Sequence, residues 1–246
     1  MQVISVIMPY YKKIAHVKRA INSVLNQTYK NYELLIIYDD PDTNDFDHLK
    51  KIIKNNIKIK LIRNHQNLGA GYSRNVGIKN SNGEIISFID SDDEWHHQKI
   101  EKQLNFLNEN NYDFIFCNYK KKINEKIITV ESKVKYLNYR NLLLSCDIGL
   151  STVMIKRNII DIDLFPNLKT QEDFAAWLKI TKKNFLADNL NENLVTWHFT
   201  KNSLSSNFFQ KIVDAFKVYR NYEKFSFIKS LFFLIVLSIN SLKRKF

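Results

Sequence analysis

Residues 83–95 read GEIISFIDSDDEW, a short apolar run that ends in a cluster of carboxylates. The run at residues 85–89 is apolar almost throughout, which predicts a strand covered on both faces of a parallel sheet. Three carboxylates follow within four residues, at Asp90, Asp92 and Asp93. Their mutual repulsion needs compensation, which Mg²⁺ or Mn²⁺ bound to carboxylate oxygens would supply. The same residues equally suit an acidic turn that caps a helix beginning at the end of this stretch.

Three other apolar runs precede this stretch, and helical patterns separate them. The runs are residues 3–8, 32–38 and 57–63. Between them, apolar residues recur at helical spacing in residues 14–25, 48–53 and 72–78. Alternation of strands and helices is typical of a layered sheet with crossover helices. The sequence therefore predicts an α/β fold with a mixed, mainly parallel sheet flanked by helices.

The pattern loosens after residue 95, which predicts a second lobe. The expected elements there are a helix at 100–107, a strand at 114–119, a lysine-rich hairpin at 121–136, a strand at 151–155, a helix at 173–180 and a strand at 194–199. No Pro-, Gly- or Ser-rich linker separates this part from the first. We therefore expect one continuous unit.

Composition narrows the class of protein. The 246 residues are enough to bury one sizeable core, and the two cysteines lie far apart without disulfide-framework or zinc-site spacing. The first residues lack the charged leader and cleavage site of a signal peptide. These features favour a reducing, cytoplasmic location. The net charge of +12 suits phosphate-bearing substrates or an anionic membrane, and because the cations are scattered without a recognised motif, nucleic acid is not an expected partner.

Candidate ligand-binding residues follow the predicted strands. In an open parallel sheet, ligands bind beyond the carboxyl ends of the strands. Pro9 and Tyr11 follow the first run, Asp39 follows the second, and a glycine loop leads into Arg74 after the third. Aspartates in this position are also ordinary turn residues, and a surface helix with a solvated arginine accounts for the glycine loop. Capping alone explains the acids at residues 172–173, which open a predicted helix.

The order of these segments resembles the family 2 glycosyltransferases with the A-type fold. The segments that carry the likeness are VISVIMPYY at 3–11, SVLNQTY at 23–29, residues 32–39, SRNVGI at 73–78, GEIISFIDSDDEW at 83–95 and Glu-Asp at 172–173. The block at 83–95 is highly specific. The resemblance implies a transferase domain over residues 1–205, with a nucleotide-sugar-binding half at 1–95 and an acceptor-side half at 96–205. Residues 206–246 would form C-terminal helices.

The resemblance also implies roles for individual residues. The nucleotide-sugar-binding residues would be Pro9, Tyr11, Asp39, Arg74, Asp90 and Ser91. Asp92 would bind a divalent metal cofactor, Mn²⁺ or Mg²⁺, which would neutralise charge on the leaving diphosphate. Asp173 would be the general base that takes the proton from the acceptor hydroxyl, and the product would have inverted configuration. With the small size and basic tail, the resemblance suggests a UDP-sugar donor and a glycan or lipid-linked saccharide acceptor of bacterial surface polysaccharide or lipopolysaccharide.

Two other functions stay open from the sequence. A catalytically inactive sugar-nucleotide-binding module would keep the fold without turnover, although the intact Asp92 and Asp173 argue against it. A sugar nucleotidyltransferase also joins a parallel sheet to carboxylate-bound Mg²⁺. Such enzymes resemble one another in a basic, glycine-rich loop straight after the first strand, whereas the first glycine here is Gly69.

The C-terminal residues differ in kind from the rest. Residues 225–242 are strongly apolar and carry cations at Lys229 and at 243–245. The longest apolar stretch, 231–237, is well short of the roughly twenty residues needed to cross a bilayer. An interfacial helix on an anionic cytoplasmic leaflet fits this pattern. A helix packed on the catalytic body or on a second subunit fits equally well.

Overall fold

The computed structural model describes residues 1–132, 134–199 and 207–243, and within them ten strands form one mixed sheet. The strands are β1 (Ile4–Tyr10), β2 (Tyr32–Tyr38), β3 (Ile59–Arg63), β4 (Ile85–Phe88), β5 (Glu94–Trp95), β6 (Phe114–Ile123), β7 (Lys126–Val130), β8 (Tyr136–Leu137), β9 (Met154–Lys156) and β10 (Ala187–His198). The helices are α1 (Ile14–Leu25), α2 (Asn44–Ile53), α3 (Ala70–Asn80), α4 (Lys99–Glu109), α5 (Tyr139–Leu144), α6 (Glu172–Thr181), α7 (Phe208–Lys217) and α8 (Phe227–Lys243).

The sheet has a parallel part and a mixed part. Its strand order is β3-β2-β1-β4-β9-β6-β10-β5, with β7 paired to β6 and β8 paired to β10. The strands β3, β2, β1 and β4 run parallel, and each is followed by a helix or by the acidic turn. Beyond them β9 pairs antiparallel with both β4 and β6, while β6 and β10 are parallel. The predicted mixed, mainly parallel sheet flanked by helices is confirmed.

Two hydrophobic cores lie on opposite faces of the sheet. Neighbouring residues of a strand point to opposite faces, so Ile7 belongs to one core while Val6 and Met8 belong to the other. The first core contains the apolar sides of α3, α6 and the C-terminal helices, and the second contains those of α1 and α4. Gly77 of α3 allows the closest approach, since a Cβ there would lie 2.3 Å from Cγ2 of Ile7.

Three details differ from the sequence-based expectation. The third strand begins at Ile59 and lies at the sheet edge, which leaves Ile57 fully exposed rather than buried within a strand. The strand expected at 151–155 opens as a 3₁₀ turn, Leu150–Thr152, and β9 begins only at Met154. The short helix α5 was not predicted, because six residues carry too little periodicity to reveal a helix.

The lysine-rich hairpin is confirmed by the antiparallel pairing of β6 with β7. Its tip uses Asn124 at a φ of +52°, a left-handed conformation that asparagine tolerates better than most residues.

The chain ends in two helices that pack on the body. A π-helical segment, Val218–Tyr222, joins α7 to the stretch before α8, and Tyr219 is fully buried. In the described ranges we find no helix whose length and apolar character would let it cross a membrane. The proposed domain boundary between residues 205 and 206 lies outside the described residues, as do two of the terminal cations, Arg244 and Lys245.

Candidate active site

The carboxyl ends of β1, β2 and β4 lie side by side. Parallel register places Pro9 opposite Ile37, and Ile7 opposite Phe88, so the residues that follow the three strands share one edge of the sheet. Pro9 is buried inside β1, whereas the ring of Tyr11 is 43% exposed just beyond it. An exposed aromatic ring at this edge can stack on a nucleobase.

Asp39 lies at the end of β2 and orders the loop that enters α3. Its carboxylate accepts hydrogen bonds from Nδ2 of Asn64 at 2.8 Å, the amide of Leu68 at 2.9 Å and the amide of Gly69 at 2.7 Å. Gly69 has a φ of +88°, which a side-chain-bearing residue adopts only with strain. The structure thus gives Asp39 a positioning role for the loop. Its predicted contact with a nucleobase stays a prediction.

Arg74 connects the two halves of the site. Nη2 of Arg74 donates to Oδ1 of Asp90 at 2.8 Å, and Nη1 donates to Oε1 of Glu172 at 2.7 Å. The arginine side chain is only 4% exposed and its guanidinium lies 5.4 Å from the ring centre of Phe165. The alternative of a surface helix with a solvated arginine is therefore wrong, because the early turns of α3 pack against residues 165–172.

The acidic cluster after β4 does not cap a helix. The helix α4 begins at Lys99, its N-cap is Gln98, and β5 lies between it and the cluster. The capping alternative is therefore wrong. Ser91 in the middle of the cluster is 5% exposed.

Each carboxylate of the cluster is compensated differently. Asp90 faces Arg74, as described above. Asp93 turns inward and accepts a hydrogen bond from Oγ of Ser151 at 2.5 Å. Asp92 forms an ion pair with Nζ of Lys13 at 2.8 Å, and its backbone carbonyl accepts from Arg19 at 2.6 Å.

A divalent cation fits this arrangement only if a bound substrate supplies further oxygen ligands. Over the described ranges no group of three or more His, Cys, Asp or Glu side chains is placed to hold a metal. Asp90 and Asp93 are held by the buried side chains of Arg74 and Ser151, whereas the partner of Asp92 is the partly exposed Lys13. Asp92 is therefore the carboxylate of the cluster best placed to take up a metal. Mg²⁺ is commonly held in nucleotide sites by one or two carboxylates, with substrate phosphates completing its ligands. The residues present fit a cation of that kind and not a metal held by protein alone.

Asp173 has the proton affinity of a general base. Burial and the neighbouring charge of Glu172 raise the pKa of Asp173 to about 7, against the opposing effects of Arg74 and of the Phe174 amide. Oδ1 accepts from that amide at 2.7 Å. A base works best when its pKa lies near the working pH. Burial, together with Asp90 and Asp92, also raises the pKa of Asp93 well above its usual range.

The start of α6 is held against the start of α3. A Cβ on Gly71 would lie 3.0 Å from the carbonyl oxygen of Pro166 and 3.3 Å from Cγ of Glu172, so glycine is needed for this contact between helices. Gln171 adopts a left-handed φ of +64° directly before the two acids. Strained backbone of this kind persists where the surroundings fix it, and it often occurs at functional sites.

Sequence reasoning missed three residues that shape the site. Lys13 pairs with Asp92, Glu172 completes the bridge through Arg74, and Ser151 binds Asp93. Glu172 was noted as a capping acid and as part of the Glu-Asp pair that carries the family resemblance, but it was given no role in the site. No pattern in the sequence signals these contacts, because they join residues far apart in the chain.

Comparison with known proteins identifies the class to which this fold belongs. The model of the family "Glycosyl transferase family 2" matches residues 5–156, more than half of the chain. The chain therefore belongs to glycosyl transferase family 2 and is a glycosyltransferase.

A relative supports the same assignment, and solved structures show the fold. The chain is 34% identical over 210 residues to the Escherichia coli UDP-Glc:alpha-D-GlcNAc-diphosphoundecaprenol beta-1,3-glucosyltransferase WfgD, covering 85% of this chain and 82% of WfgD. Its fold matches S. aureus TarS 1-349 in complex with UDP-GlcNAc, with a TM-score of 0.76, 20% identity and coverage of 95% and 70%. It also matches the Pyrobaculum calidifontis mannosyltransferase PcManGT in complex with GDP-Man and Mn²⁺, with a TM-score of 0.69, 12% identity and coverage of 94% and 69%. The A-type glycosyltransferase fold is thereby confirmed.

Proposed function

We propose that this protein transfers a sugar from a UDP-sugar to a hydroxyl of a lipid-linked saccharide, with inversion at the anomeric carbon. The observation that carries the proposal is the carboxylate of Asp173, whose pKa is raised to about 7 beside the bridge of Asp90, Arg74 and Glu172. Asp173 takes the proton of the acceptor hydroxyl as that oxygen attacks the anomeric carbon. The diphosphate leaves from the opposite face of the sugar.

The donor occupies the edge of the sheet beyond β1, β2 and β4. Tyr11 stacks on the base, and Pro9, Asp39 and Ser91 shape the pocket. Asp90 contacts the ribose and stays oriented by its bond to Arg74. UDP is favoured as the nucleotide because the name of WfgD specifies UDP-Glc and TarS 1-349 is in complex with UDP-GlcNAc.

Asp92 holds the divalent cation, Mn²⁺ or Mg²⁺. That cation, when bound, neutralises charge on the departing diphosphate. Lys13 keeps the carboxylate of Asp92 compensated when no donor is bound and is displaced toward the diphosphate on binding. The cation in PcManGT is Mn²⁺, which supports the same cofactor class here.

The acceptor is a lipid-linked saccharide in the synthesis of a bacterial surface polysaccharide. This follows from the name of WfgD, whose acceptor is a diphosphoundecaprenol-linked sugar. A lipid-linked acceptor of this kind would bring the enzyme to the cytoplasmic face of the membrane.

A calorimetric titration with UDP, GDP, CDP and dTDP, each with and without Mn²⁺, tests the donor and the cation together. We expect UDP to bind with Mn²⁺ and to bind at least about tenfold more weakly to Asp92→Ala. Asp173→Asn should keep wild-type UDP affinity and lose sugar transfer. Asp47→Asn, which changes an exposed acid in the first turn of α2, is the matched control and should behave as wild type.

Three outcomes would contradict parts of the proposal. Binding of another nucleotide in preference to UDP would contradict the proposed UDP-sugar donor. Wild-type turnover in Asp173→Asn would remove the assignment of the base. Metal-dependent UDP binding without turnover on any lipid-linked acceptor would leave an inactive sugar-nucleotide-binding module.

A further inference from the structure

The helix α8 exposes a continuous apolar face to solvent. Besides Phe227 at its start, six exposed large apolar residues are spaced so that they lie on one face of the helix. They are Ile228, Leu231, Phe232, Ile235, Ile239 and Leu242, with exposed fractions between 43% and 81%. These six residues are here called the apolar stripe. Isolated apolar side chains on a surface need no explanation, but a contiguous stripe indicates a binding surface.

The opposite face of α8 already serves the fold. Ser230 and Leu237 are buried, and Phe233 lies 5.6 Å from the ring centre of Tyr219. Nδ2 of Asn240 donates to the carbonyl oxygen of Leu144 at 2.9 Å. The helix is thus fixed to the protein by one face, and the apolar stripe is not needed for packing.

The charges around the stripe are positive. Exposed cations lie on α8 at Lys229 and Lys243 and in the segment before it at Arg220 and Lys224. The acidic residues of the described segment 207–243 are Asp214 and Glu223, whose side chains are 1% and 6% exposed. This surface therefore presents apolar and cationic groups while its carboxylates point inward.

A second copy of the chain would find too little surface here. The 17 residues of α8 span about 25 Å, so a stripe roughly 10 Å wide offers on the order of 250 Å². Stable protein interfaces bury about 800 Å² per partner. A bilayer sets no such minimum, and an apolar face bordered by Lys and Arg is the composition of helices that lie in a membrane interface.

We propose that α8 lies parallel to the plane of an anionic bilayer and inserts the apolar stripe between the lipid headgroups. The flanking cations attract anionic lipid, and the far face keeps the helix attached to the catalytic body. The transferase function bears on this proposal only through the membrane in which its acceptor sits. Vesicle binding itself needs neither donor nor acceptor.

Flotation of the full chain with lipid vesicles tests the proposal. We expect binding to phosphatidylcholine vesicles that contain phosphatidylglycerol, and weaker binding without it. The double variant Ile235→Ser/Ile239→Ser should lower the partition coefficient at least about tenfold, because both side chains lose apolar area in the lipid. Ile162→Ser, which changes an apolar residue 59% exposed outside α8, is the matched control and should bind as wild type.

A charge variant separates the two parts of the mechanism. Lys243→Glu should reduce binding to anionic vesicles several-fold and leave binding to neutral vesicles unchanged, since only the electrostatic attraction is lost. All variants should keep the wild-type thermal unfolding midpoint and UDP affinity, because the changed residues are exposed and distant from the nucleotide site.

The outcomes decide between this proposal and its rivals. Equal vesicle binding by wild type and the double variant, or no binding by wild type, overturns it. A dimer seen by light scattering and abolished by the double variant would make the stripe a contact between copies. Vesicle binding without UDP binding would retain this proposal and overturn the proposed donor.

Discussion

Replacing Glu172 by Gln should move the pH dependence of sugar transfer to lower pH. The charge of Glu172 is, after burial, the largest cause that raises the pKa of Asp173 to about 7. Removing that charge also frees Nη1 of Arg74 from its 2.7 Å ion pair, so the arginine attracts the Asp173 carboxylate more strongly. Both changes favour the ionised form of Asp173. The midpoint of activity should therefore fall from about 7 toward the ordinary value of 3.8.

The size of the effect follows from the ionised fraction of the base. A carboxyl with a pKa of about 7 is roughly one-tenth ionised at pH 6 and about nine-tenths ionised at pH 8. Transfer by the wild-type protein should therefore rise about tenfold over this interval at saturating donor. In Glu172→Gln the rate should rise by a smaller factor over the same interval, because more of the base is already ionised at pH 6. Single-turnover rates from pH 5.5 to 8.5, about the range over which the wild-type base titrates, measure the chemical step without product release.

Asp173→Asn supplies an independent check through stability. The folded state holds the Asp173 proton more tightly than the unfolded chain, so stability falls as pH rises from about 4 to 7 and then levels off. Because asparagine does not titrate, the variant does not lose this stability as the pH rises. At pH 8 the free energy of unfolding of Asp173→Asn should exceed that of the wild type, with an upper bound of about 4 kcal/mol. The difference should stay below this bound because the Asp173 side chain is partly exposed.

Two results would refute this reasoning. A wild-type rate that stays flat between pH 6 and 8 would mean that Asp173 does not titrate in this interval. An unchanged midpoint in Glu172→Gln would mean that burial alone sets the pKa. Asp47→Asn serves as the control for loss of one carboxylate at a helix start and should leave both profiles unaltered.

Three further substitutions test the packing and charges around the site. Arg74→Met should cost about 3–5 kcal/mol in urea unfolding, because it strands two partly buried carboxylates, and a loss below about 1 kcal/mol would contradict the bridge. Lys13→Met should tighten Mn²⁺ binding in calorimetry by releasing the Asp92 carboxylate, and weaker binding would show that the lysine supports the cation. Gly77→Ala should destabilise the fold by about 1–3 kcal/mol despite the better helix propensity of alanine, since its Cβ would overlap Ile7, and a stabilised variant would disprove the close packing.

The parallel half of the fold was predictable because its signals are local. The runs that became β1, β2 and β4 are apolar almost throughout, and α1 between the first two shows a clear apolar face. The bounds of the strands in the second half were predicted less accurately, because β9 has only three residues and β10 carries bulges between Leu190 and Val195. Elements that depend on tertiary pairing leave a weak local pattern.

The sequence predicted which residues lie near the candidate site but not which side chains they contact. Strand order indicates that Asp39, Asp90 and Tyr11 share an edge of the sheet. It gives no sign that Asp39 is engaged by the loop before α3 or that Lys13 pairs with Asp92. Those contacts depend on side chains brought together by the folded chain, and only the resemblance to a family pointed to Asp173.

The continuity of the sheet limits how the two parts of this chain can be exchanged with those of a relative. Residues 94–95 form β5, which pairs with β10 of the second half, while β9 of the second half is inserted between β4 and β6. A recombination event at residue 95 would have to preserve two strand registers, that of β4 with β9 and that of β5 with β10, and both hydrophobic cores at once. We therefore expect relatives to diverge by point substitutions and loop changes, and not by exchanging one half for that of another family member.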